Sequence, residues 1–372
     1  MKIIVSGGGT GGHIYPALTI AREILAAREA EILFVGTARG MESRIVPEEG
    51  FRFVSLPAAG IQRKLTLSNV KSIGKAALGM WKAKEILRVF RPDVVIGTGG
   101  YVCGPILMAA ALSHIPTMIQ EQNVIPGITN KILSRVVDRV ALGYEEAQRR
   151  FPHPEKCVYT GNPVRRDVLT AKRGESREKL GISSDTFMVL VAGGSRGARS
   201  INTAMLGVHR HFREAEKLCL WHVTGTDGFD TIREKLGDVS DTGTWGRASR
   251  IVPYQHDMPT ALAAADLVIY RAGAVGLAEL AARGLPSVLI PFPYAAEDHQ
   301  TYNARAFAER GAADMIADKD LTDEKLIQCI EKLRNDTDTL HAMAEAALRL
   351  GRPNAGEDIA RMAITLAEHG EV

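Results

Sequence analysis

The stretch MKIIVSGGGTGGHIYP, from Met1 to Pro16, decides the fold of the N-terminal half. A short apolar run, Lys2–Ser6, leads into a cluster of glycines and then into a helix that Pro16 is expected to open in its first turn. Glycines let the backbone approach a ligand closely and adopt positive φ. The following helix N-terminus presents unpaired N–H groups. The junction therefore suits a phosphate or a polar sugar.

The same strand–glycine–helix pattern recurs along the whole chain. Val- and Ile-rich runs alternate with amphipathic helical stretches, which predicts parallel sheets covered on both faces. The predicted strands of the first half are Lys2–Ser6, Glu31–Gly36, Asp93–Gly97, Pro116–Gln120 and Asp138–Leu142. Those of the second half are Phe187–Ala192, Leu218–Val223, Arg250–Val252, Asp266–Tyr270 and Pro286–Ile290.

The second half echoes the first. VSGGGTG (5–11) resembles VAGGSRG (191–197), and DVVIGTGG (93–100) resembles DLVIYRAG (266–273), in the same order. The predicted fold class is α/β, with two Rossmann-like doubly wound domains facing across a cleft. Gly, Asn and Pro interrupt the pattern within 161–169 and suggest the boundary. We therefore expect domains at 1–162 and 163–350. By analogy, we expect the C-terminal segment 351–372, with a helix near 357–368, to pack back on the first domain.

Composition limits the class of protein. A chain of 372 residues is long enough for two domains, and a net charge of +3 names no partner. The four cysteines are scattered, which favours reduced thiols in a cytoplasmic protein. The N-terminal apolar run is too short for a signal peptide. No apolar stretch reaches the roughly 20 residues of a membrane-spanning helix, so any membrane contact is expected to be peripheral.

His13 follows the first glycine loop and is the candidate catalytic base. At the carboxyl end of the strands it would face the ligand crevice, and its ordinary pKa near neutrality suits proton removal from an attacking hydroxyl. The alternative is a histidine that caps the helix or belongs to the loop.

The second half offers a matching set of polar groups. The loop GGSRGAR (193–199) repeats the glycine device and adds a hydroxyl and two cations. The segments beginning at Arg271 and at Asp298 place further polar side chains at predicted strand ends. Glu279 could accept two ribose hydroxyls, or it could be a solvated helix position or a salt-bridge partner. Gln300 could bind sugar hydroxyls.

Two kinds of site are disfavoured. A dinucleotide-binding domain usually carries an acidic residue at the end of its second strand, but the two second strands end in Thr37 and Thr224. No His, Asp or Glu cluster has metal-ligand spacing, and the chain has no DxD sequence. We therefore expect no cofactor and no metal, with a leaving diphosphate stabilised by backbone N–H groups, helix dipoles and arginines.

An ordered set of motifs resembles the MurG family of glycosyltransferases. The motifs are GGGTGGHIYP (7–16), GTGGYVCGP (97–105), EQN (121–123), GNPVR (161–165), GGSRGAR (193–199), RAGA with Glu279 (271–279) and DHQTYNA (298–304). The resemblance implies a glycosyltransferase B-type fold and the donor UDP-N-acetylglucosamine. The implied acceptor is an undecaprenyl-diphospho-muramoylpentapeptide. The implied reaction inverts the anomeric centre, with His13 removing the proton of the muramoyl 4-hydroxyl.

The resemblance also implies roles for matched residues. Near the transferred sugar it places Thr10, Gly11, Gly12 and Asn123; on the donor it places Arg165, Ser195 and Gln300, with Glu279 on the ribose and the backbone of Gln255 on the uracil. The implied phosphate loops contain Gly193, Gly194, Arg199, Gly273 and Ala274. Two positions depart from the family pattern: Arg196 stands where Gln is common, and Gly276 where Ser or Thr is common.

The stretch from Arg63 to Arg91 is strongly basic and carries exposed-type apolar residues. Lys71, Lys75, Trp81 and Lys82 are the residues that we expect to face an anionic membrane surface. The alternative is an ordinary α/β helix with solvated lysines. The predicted location is the cytoplasmic face of the bacterial cell membrane, with other cell-wall synthesis proteins as candidate partners and no nucleic acid.

Three other functions stay open on the sequence. A UDP-N-acetylglucosamine 2-epimerase would share the donor pocket but would need further carboxylates. Another lipid glycosyltransferase would use a diacylglycerol acceptor. A nucleotide-sugar-binding scaffold protein would have no turnover at all.

Overall fold

The computed structural model describes residues 1–58, 67–194 and 197–370, and for 67–77 it describes the backbone alone. Within these residues the chain forms two compact units. Unit 1 contains 1–164 and 352–372, and unit 2 contains 165–351. The domain boundaries expected from the sequence, after residues 162 and 350, lie two residues and one residue before those of the structure. The predicted α/β class is confirmed, since each unit has a sheet of mainly parallel strands with helices packed against it.

Unit 1 is built on a seven-stranded sheet. Its strands are β1 (Lys2–Ser6), β2 (Glu31–Gly36), β3 (Arg52–Ser55), β4 (Val94–Gly97), β5 (Thr117–Glu121), β6 (Arg139–Leu142) and β7 (Cys157–Tyr159). The helices between them are α1 (Gly11–Ala27), α2 (Glu42–Glu48), α3 (Leu67–Phe90), α4 (Cys103–Leu112) and α5 (Ile128–Leu133). All pairs are parallel, in the order β3-β2-β1-β4-β5-β6-β7. The carboxyl ends of β1, β4 and β5 therefore meet at one edge.

Alternate residues of β1 pack into two hydrophobic cores, one on each face of the sheet. Ile3 and Val5 pack with buried residues of α1, while Ile4 packs on the opposite face with residues of α3 and α4. All three are fully buried. Burial on both faces explains why the strand is a continuous apolar run instead of an alternating one.

The start of α1 differs from the sequence prediction. Thr10 is the N-cap and the helix begins at Gly11, so Pro16 lies inside the helix and not in its first turn. The carbonyl of Thr10 accepts hydrogen bonds from the N–H groups of His13 and Ile14, which closes the first turn despite two glycines. His13 is consequently a first-turn helical residue, and its orientation is set by the turn.

Unit 2 repeats the architecture. Its strands are β8 (Phe187–Ala192), β9 (Leu218–Val223), β10 (Thr244–Trp245), β11 (Ser249–Val252), β12 (Leu267–Tyr270), β13 (Ser287–Leu289) and β14 (Ala313–Met315). Its helices are α6 (Arg166–Thr170), α7 (Arg173–Leu180), α8 (Arg199–His211), α9 (Phe229–Leu236), α10 (Met258–Ala264), α11 (Ala274–Arg283), α12 (His299–Ala308), α13 (Asp323–Asn335) and α14 (Thr337–Leu350). The order is β10-β11-β9-β8-β12-β13-β14, and β10 alone is antiparallel.

The chain then returns to unit 1. Helix α15 (Ala355–His369) packs along α1, and its Ile359, Ala360, Ala363 and Leu366 are buried in the same core as Ile3. Short 3-10 turns complete the backbone at Glu145–Arg150, Pro154–Lys156, Ala296–Asp298 and Asp318–Asp320. None of the helices in the described part of the chain is long and apolar enough to cross a membrane.

A buried polar chain supports the carboxyl end of β9. Asn202 Nδ2 donates to Thr224 O at 2.8 Å, which leaves Asn202 Oδ1 to accept from His222 Nε2 at 3.1 Å. His222 Nδ1 must then accept from His209 Nε2, at 3.0 Å, and His209 Nδ1 from the hydroxyl of Ser249, at 2.8 Å. Both rings are fully buried and neutral in this pattern. The hydrogen bond to the Thr224 carbonyl thus determines which nitrogen of each histidine ring carries the proton.

Because His209 and His222 are buried as neutral rings, we expect acid to destabilise unit 2. Burial lowers the pKa of His209 to about 3 and holds the pKa of His222 well below 6.5. The unfolded chain binds more protons below pH 6.5, so the free energy of unfolding should fall as pH drops from about 6.5 to about 3. The limiting slope is about 1.4 kcal/mol per pH unit for each histidine. Urea unfolding at a series of pH values measures it.

His222→Gln removes one titrating ring and should flatten this slope. The matched control is His341→Gln, at an exposed position of α14, which should leave the slope as in the wild type. A wild-type free energy of unfolding that is constant from pH 7 to pH 5 would contradict the prediction.

Candidate active site

The first glycine loop, Gly7–Gly12, joins β1 to α1, and close packing leaves no room for side chains at some of its positions. A Cβ at Gly7 would overlap Thr98 Oγ1, which itself donates to the His13 carbonyl at 2.7 Å. Gly9 has φ +85°, a conformation that favours glycine. The loop and the first turn of α1 are thereby fixed against the end of β4. Thr10 and Gly12 are exposed, and Gly11 and His13 are half-buried beside them.

The hydrogen bonds of His13 define which nitrogen can act as a base. His13 Nδ1 lies 3.0 Å from the Gly8 carbonyl oxygen and 3.3 Å from Thr10 Oγ1. A carbonyl oxygen can only accept, so Nδ1 carries the proton. In the neutral ring Nε2 then holds the lone pair. The structure therefore presents Nε2 as the basic nitrogen, which a general base requires.

Asn123 lies at the same sheet edge, two residues beyond β5. Its backbone N–H donates to Glu121 Oε1 at 2.9 Å and its side-chain Nδ2 to the same oxygen at 3.2 Å. The other oxygen of Glu121 accepts from Asn130 Nδ2 at 2.8 Å. Glu121 is buried, so in the EQN motif the carboxylate holds the loop and orients the amide of Asn123.

Glu42 has a role that the sequence pattern does not indicate. A dinucleotide site is expected to carry an acidic residue at the end of β2, where the chain has Thr37, but α2 brings the Glu42 carboxylate to that position. Glu42 Oε1 accepts from Thr37 N at 2.9 Å and from Thr37 Oγ1 at 2.7 Å, and Oε2 accepts from Gly9 N at 3.1 Å. The side chain is 1% exposed. It is fully used inside unit 1 and cannot reach ribose hydroxyls, so the dinucleotide alternative gains nothing from it.

The glycine loop of unit 2 lies between β8 and α8. Gly194 has φ +97°, and a Cβ at Gly193 would overlap Ala198. Gly197 packs against Thr224 O so closely that a Cβ would overlap it, which connects the loop to the buried histidine chain. Arg199 is exposed at the first position of α8. Ser195 and Arg196 lie outside the described residues.

The buried Glu279 forms an ion pair with the half-buried Arg165. Arg165 Nε donates to Glu279 Oε1 at 2.9 Å, and Glu279 is only 5% exposed. The solvated-helix alternative for Glu279 is therefore wrong, and the ion pair is present. Burial raises the pKa of the Glu279 carboxyl above its ordinary value, against the opposing effect of Arg165. Gly273 and Ala274 begin α11, the helix that carries Glu279.

Gln300 lies in the first turn of α12, and Gln255 follows β11. Gln300 Oε1 accepts from Phe292 N at 3.0 Å, which turns its Nε2 donor away from that backbone. Gln255 Oε1 accepts from Trp221 Nε1 at 3.3 Å, and its Nε2 donates to Asp257 O at 2.9 Å. The side chain of Gln255 is thus engaged within the unit.

Two further residues of unit 2 have roles that the sequence did not indicate. The guanidinium of Arg271 binds the Asp318 carboxylate at 2.6 Å and Ser200 Oγ at 2.8 Å, so it ties the end of β12 to the start of α8. Gly276 packs on the ring of Tyr270, where a Cβ would lie 2.6 Å from Cε1. A Ser or Thr at 276 would collide with that ring unless Tyr270 moved.

The structure places the two glycine loops at the carboxyl edges of the two sheets. Unit 1 brings together Thr10, Gly11, Gly12, His13 and Asn123. Unit 2 places its glycine loop and the Gly273–Ala274 turn on the neighbouring strands β8 and β12, with Arg165, Glu279, Gln255 and Gln300 in the same unit. In the part of the chain that the structure describes, no three His, Cys, Asp or Glu residues are placed to hold a metal ion.

Comparison with known proteins identifies the class. The model of the glycosyltransferase family 28 N-terminal domain matches residues 3–142, and that of the family 28 C-terminal domain matches 188–359. The chain is therefore a two-domain glycosyltransferase of family 28.

Relatives that match over their full length show which family of these glycosyltransferases the chain belongs to. A protein of Desulforudis audaxviator called UDP-N-acetylglucosamine-N-acetylmuramyl-(pentapeptide) pyrophosphoryl-undecaprenol N-acetylglucosamine transferase is 46% identical, over 100% of both chains. The crystal structure of Acinetobacter baumannii MurG has a TM-score of 0.77 and 28% identity, covering 98% of this chain and 99% of that one. The chain belongs to the MurG family.

The same fold also occurs in epimerases. A UDP-GlcNAc 2-epimerase from Neisseria meningitidis, solved with UDP-GlcNAc bound, has a TM-score of 0.66, with coverage of 98% and 100% of the two chains. At 14% identity this likeness shows the shared fold alone.

Proposed function

We propose that this protein transfers N-acetylglucosamine from UDP-N-acetylglucosamine to the muramoyl 4-hydroxyl of undecaprenyl-diphospho-muramoylpentapeptide, the step from lipid I to lipid II in peptidoglycan synthesis. The observation that carries the proposal is the hydrogen bond of His13 Nδ1 to the Gly8 carbonyl, because it leaves Nε2 as the base. Membership of the MurG family supports the choice of donor and acceptor.

The chemistry is a single displacement. His13 Nε2 takes the proton of the 4-hydroxyl while that oxygen forms a bond to the anomeric carbon. The bond from this carbon to the diphosphate oxygen breaks, and its electron pair leaves with UDP. Attack on the face opposite the diphosphate converts an α-linked donor into a β-linked product. The base step accounts for roughly 100- to 10,000-fold of the acceleration.

Unit 2 supplies the donor site in this proposal. Arg165, Ser195 and Gln300 bind the nucleotide sugar, Glu279 the ribose, and the backbone of Gln255 the uracil. The loops with Gly193, Gly194 and Arg199 and with Gly273 and Ala274 supply N–H groups and positive charge to the leaving diphosphate. In unit 1, Thr10, Gly11, Gly12 and Asn123 contact the transferred sugar.

The decisive experiment follows labelled N-acetylglucosamine from the UDP donor to a short-chain analogue of the lipid acceptor. We expect a disaccharide product that depends on the muramoyl acceptor. Formation of UDP-N-acetylmannosamine without acceptor would identify an epimerase instead. Transfer to diacylglycerol would identify another lipid glycosyltransferase, and UDP release at background rate would leave a binding protein.

We also propose that unit 1 contacts the anionic cytoplasmic face of the cell membrane through α3. Leu78, Trp81 and Val89 of this helix are exposed, Trp81 at 63%, and the half-buried Lys82 lies beside them. The other exposed charged residues here are Lys84, Glu85 and Arg88. The opposite face is buried in the core of unit 1. Apolar and basic residues on one face suit a lipid surface. The side chains of Lys71 and Lys75 lie outside the described residues.

This surface gives a second prediction. The double variant Trp81→Ala with Lys82→Glu should bind phosphatidylglycerol vesicles at least about tenfold more weakly, since each cation near such a surface contributes roughly 1 kcal/mol. Vesicle cosedimentation at low and high salt measures the change. Lys325→Glu, which makes the same charge change at an exposed position of α13 in unit 2, is the control and should have a smaller effect. Equal binding by the double variant and the wild type would contradict the proposal.

A further inference from the structure

One peptide group in the first glycine loop lies between two ionisable side chains. The carbonyl of Gly8 accepts from His13 Nδ1 at 3.0 Å. The N–H of the next residue, Gly9, belongs to the same peptide group and donates to Glu42 Oε2 at 3.1 Å. A carboxylate, a peptide and an imidazole are therefore connected in series.

The carboxylate of this series, Glu42, is held in its ionised form by its hydrogen bonds. Burial by itself raises the pKa of Glu42, but the hydrogen bonds from Thr37 and Gly9 outweigh it, and the pKa lies below its ordinary value. Glu42 is therefore an anion at neutral pH. Its negative charge faces the N–H end of the peptide dipole, which is the favourable orientation.

Three glycines make room for this carboxylate. A Cβ at Gly8 would lie 2.6 Å from Glu42 Oε1, one at Gly36 would lie 2.5 Å from its Cγ, and one at Gly40 would overlap both oxygens. The Glu42 side chain therefore occupies the space that a larger residue at any of these three positions would need. The N–H of Gly9 is occupied by a group of the protein itself, so it is not available to a phosphate of the donor.

We propose that Glu42 is a positioning residue for His13, which acts through the Gly8–Gly9 peptide to fix the Nδ1–H tautomer and to strengthen Nε2 as a base. An anion at the N–H end polarises the peptide and makes its carbonyl oxygen a better acceptor. A stronger bond at Nδ1 stabilises the protonated ring. The inference rests on the proposed transfer reaction, in which His13 is the base.

Two other described groups near the loop, Thr10 and Cys103, carry no charge. Thr10 Oγ1 lies 3.3 Å from Nδ1 and is neutral. Cys103 Sγ donates to Ser6 O and Gly99 O, and burial raises the pKa of its thiol to about 11, so it is uncharged. The ring of Tyr101 lies against Gly9.

The test compares Glu42→Gln with Glu48→Gln, an exposed carboxylate on the same helix. For Glu42→Gln we expect kcat to fall about 10- to 100-fold, part of the base contribution, with KM for the donor within about twofold of the wild type. The acid limb of kcat should move to lower pH, because the ring loses its proton more readily. Glu48→Gln should match the wild type.

A second readout needs no substrate. Nitrogen-15 NMR of the histidine rings, with His13 identified by its loss in His13→Ala, should show Nδ1 protonated and Nε2 bare in the neutral wild-type ring. In Glu42→Gln the pKa of His13 should fall and the other tautomer should appear. This readout holds even if the acceptor is another sugar lipid, so failure of the transfer assay and failure of this inference are separable.

Two results would overturn the inference. One is a wild-type ring protonated at Nε2. The other is a folded Glu42→Gln protein with unchanged tautomer, His13 pKa and kcat. If Glu42→Gln does not unfold cooperatively, Thr37→Val takes its place, since it removes one hydrogen bond from the carboxylate. It should shift the His13 signals in the same direction by less, and no shift would count against the proposal.

Discussion

Replacing His13 with alanine should lower kcat about 100- to 10,000-fold, while binding of UDP-N-acetylglucosamine stays near the wild-type value. The loss is expected because Nε2 is the nitrogen left basic by the Gly8 hydrogen bond. Donor binding is expected to persist because the proposed donor residues lie in unit 2. Steady-state transfer to the lipid analogue gives kcat, and calorimetry with UDP-N-acetylglucosamine gives the affinity.

His13→Asn refines this test. The amide of asparagine can place a donor where Nδ1 lies, so it can keep the bond to Gly8 while it has no base. We expect it to be as inactive as His13→Ala. His341→Ala, an exposed histidine of unit 2, is the control. A His13→Asn enzyme with more than a tenth of the wild-type kcat would contradict the catalytic role.

The second large effect should come from one methyl group at Gly99. This residue has φ +109°, and a Cβ there would lie 2.8 Å from His13 Cδ2 and 3.0 Å from Nε2. Gly99→Ala should push the ring out of place and lower kcat about 100-fold, the usual result of displacing a reacting group by about 1 Å. The strained backbone should also reduce stability by about 1–3 kcal/mol.

The matched control is Gly174→Ala. Gly174 lies in α7, where a methyl group would meet no atom within 4 Å and the backbone has no positive φ, so alanine should be tolerated there or stabilise the helix. Transfer assays well below each unfolding midpoint separate loss of activity from loss of fold. Wild-type activity in Gly99→Ala would show that the ring position is not set by this contact.

The strands were predictable where both faces of the sheet are covered. Phe187–Ala192 and Leu218–Val223 were predicted with the bounds that the structure has, because a strand buried on both faces must be a continuous apolar run. The edge strands at 52–55, 157–159, 244–245 and 313–315 were not predicted. They are two to four residues long and only partly buried, so they need little apolar character.

The candidate site was predictable in its loops but not in its partners. Glycines before a helix mark a close approach in any sequence, which is why His13 and the loop 193–199 stood out. Glu42 reaches Gly9 across 33 positions and Arg165 reaches Glu279 across 114. Such pairs form only when the strands are in order, and spacing along the chain carries no signal of them. The orientation of the His13 ring has the same origin.

The return of α15 to unit 1 has a consequence for biosynthesis. A growing chain completes all of unit 2 before Ala355 is made, but Ile359, Ala363 and Leu366 belong to the core beneath β1. On the ribosome, part of the apolar core of unit 1 therefore stays uncovered until the chain beyond 352 emerges. Unit 2 can fold before that point. The usual N-terminal-first order of nascent-chain folding should be reversed in this protein.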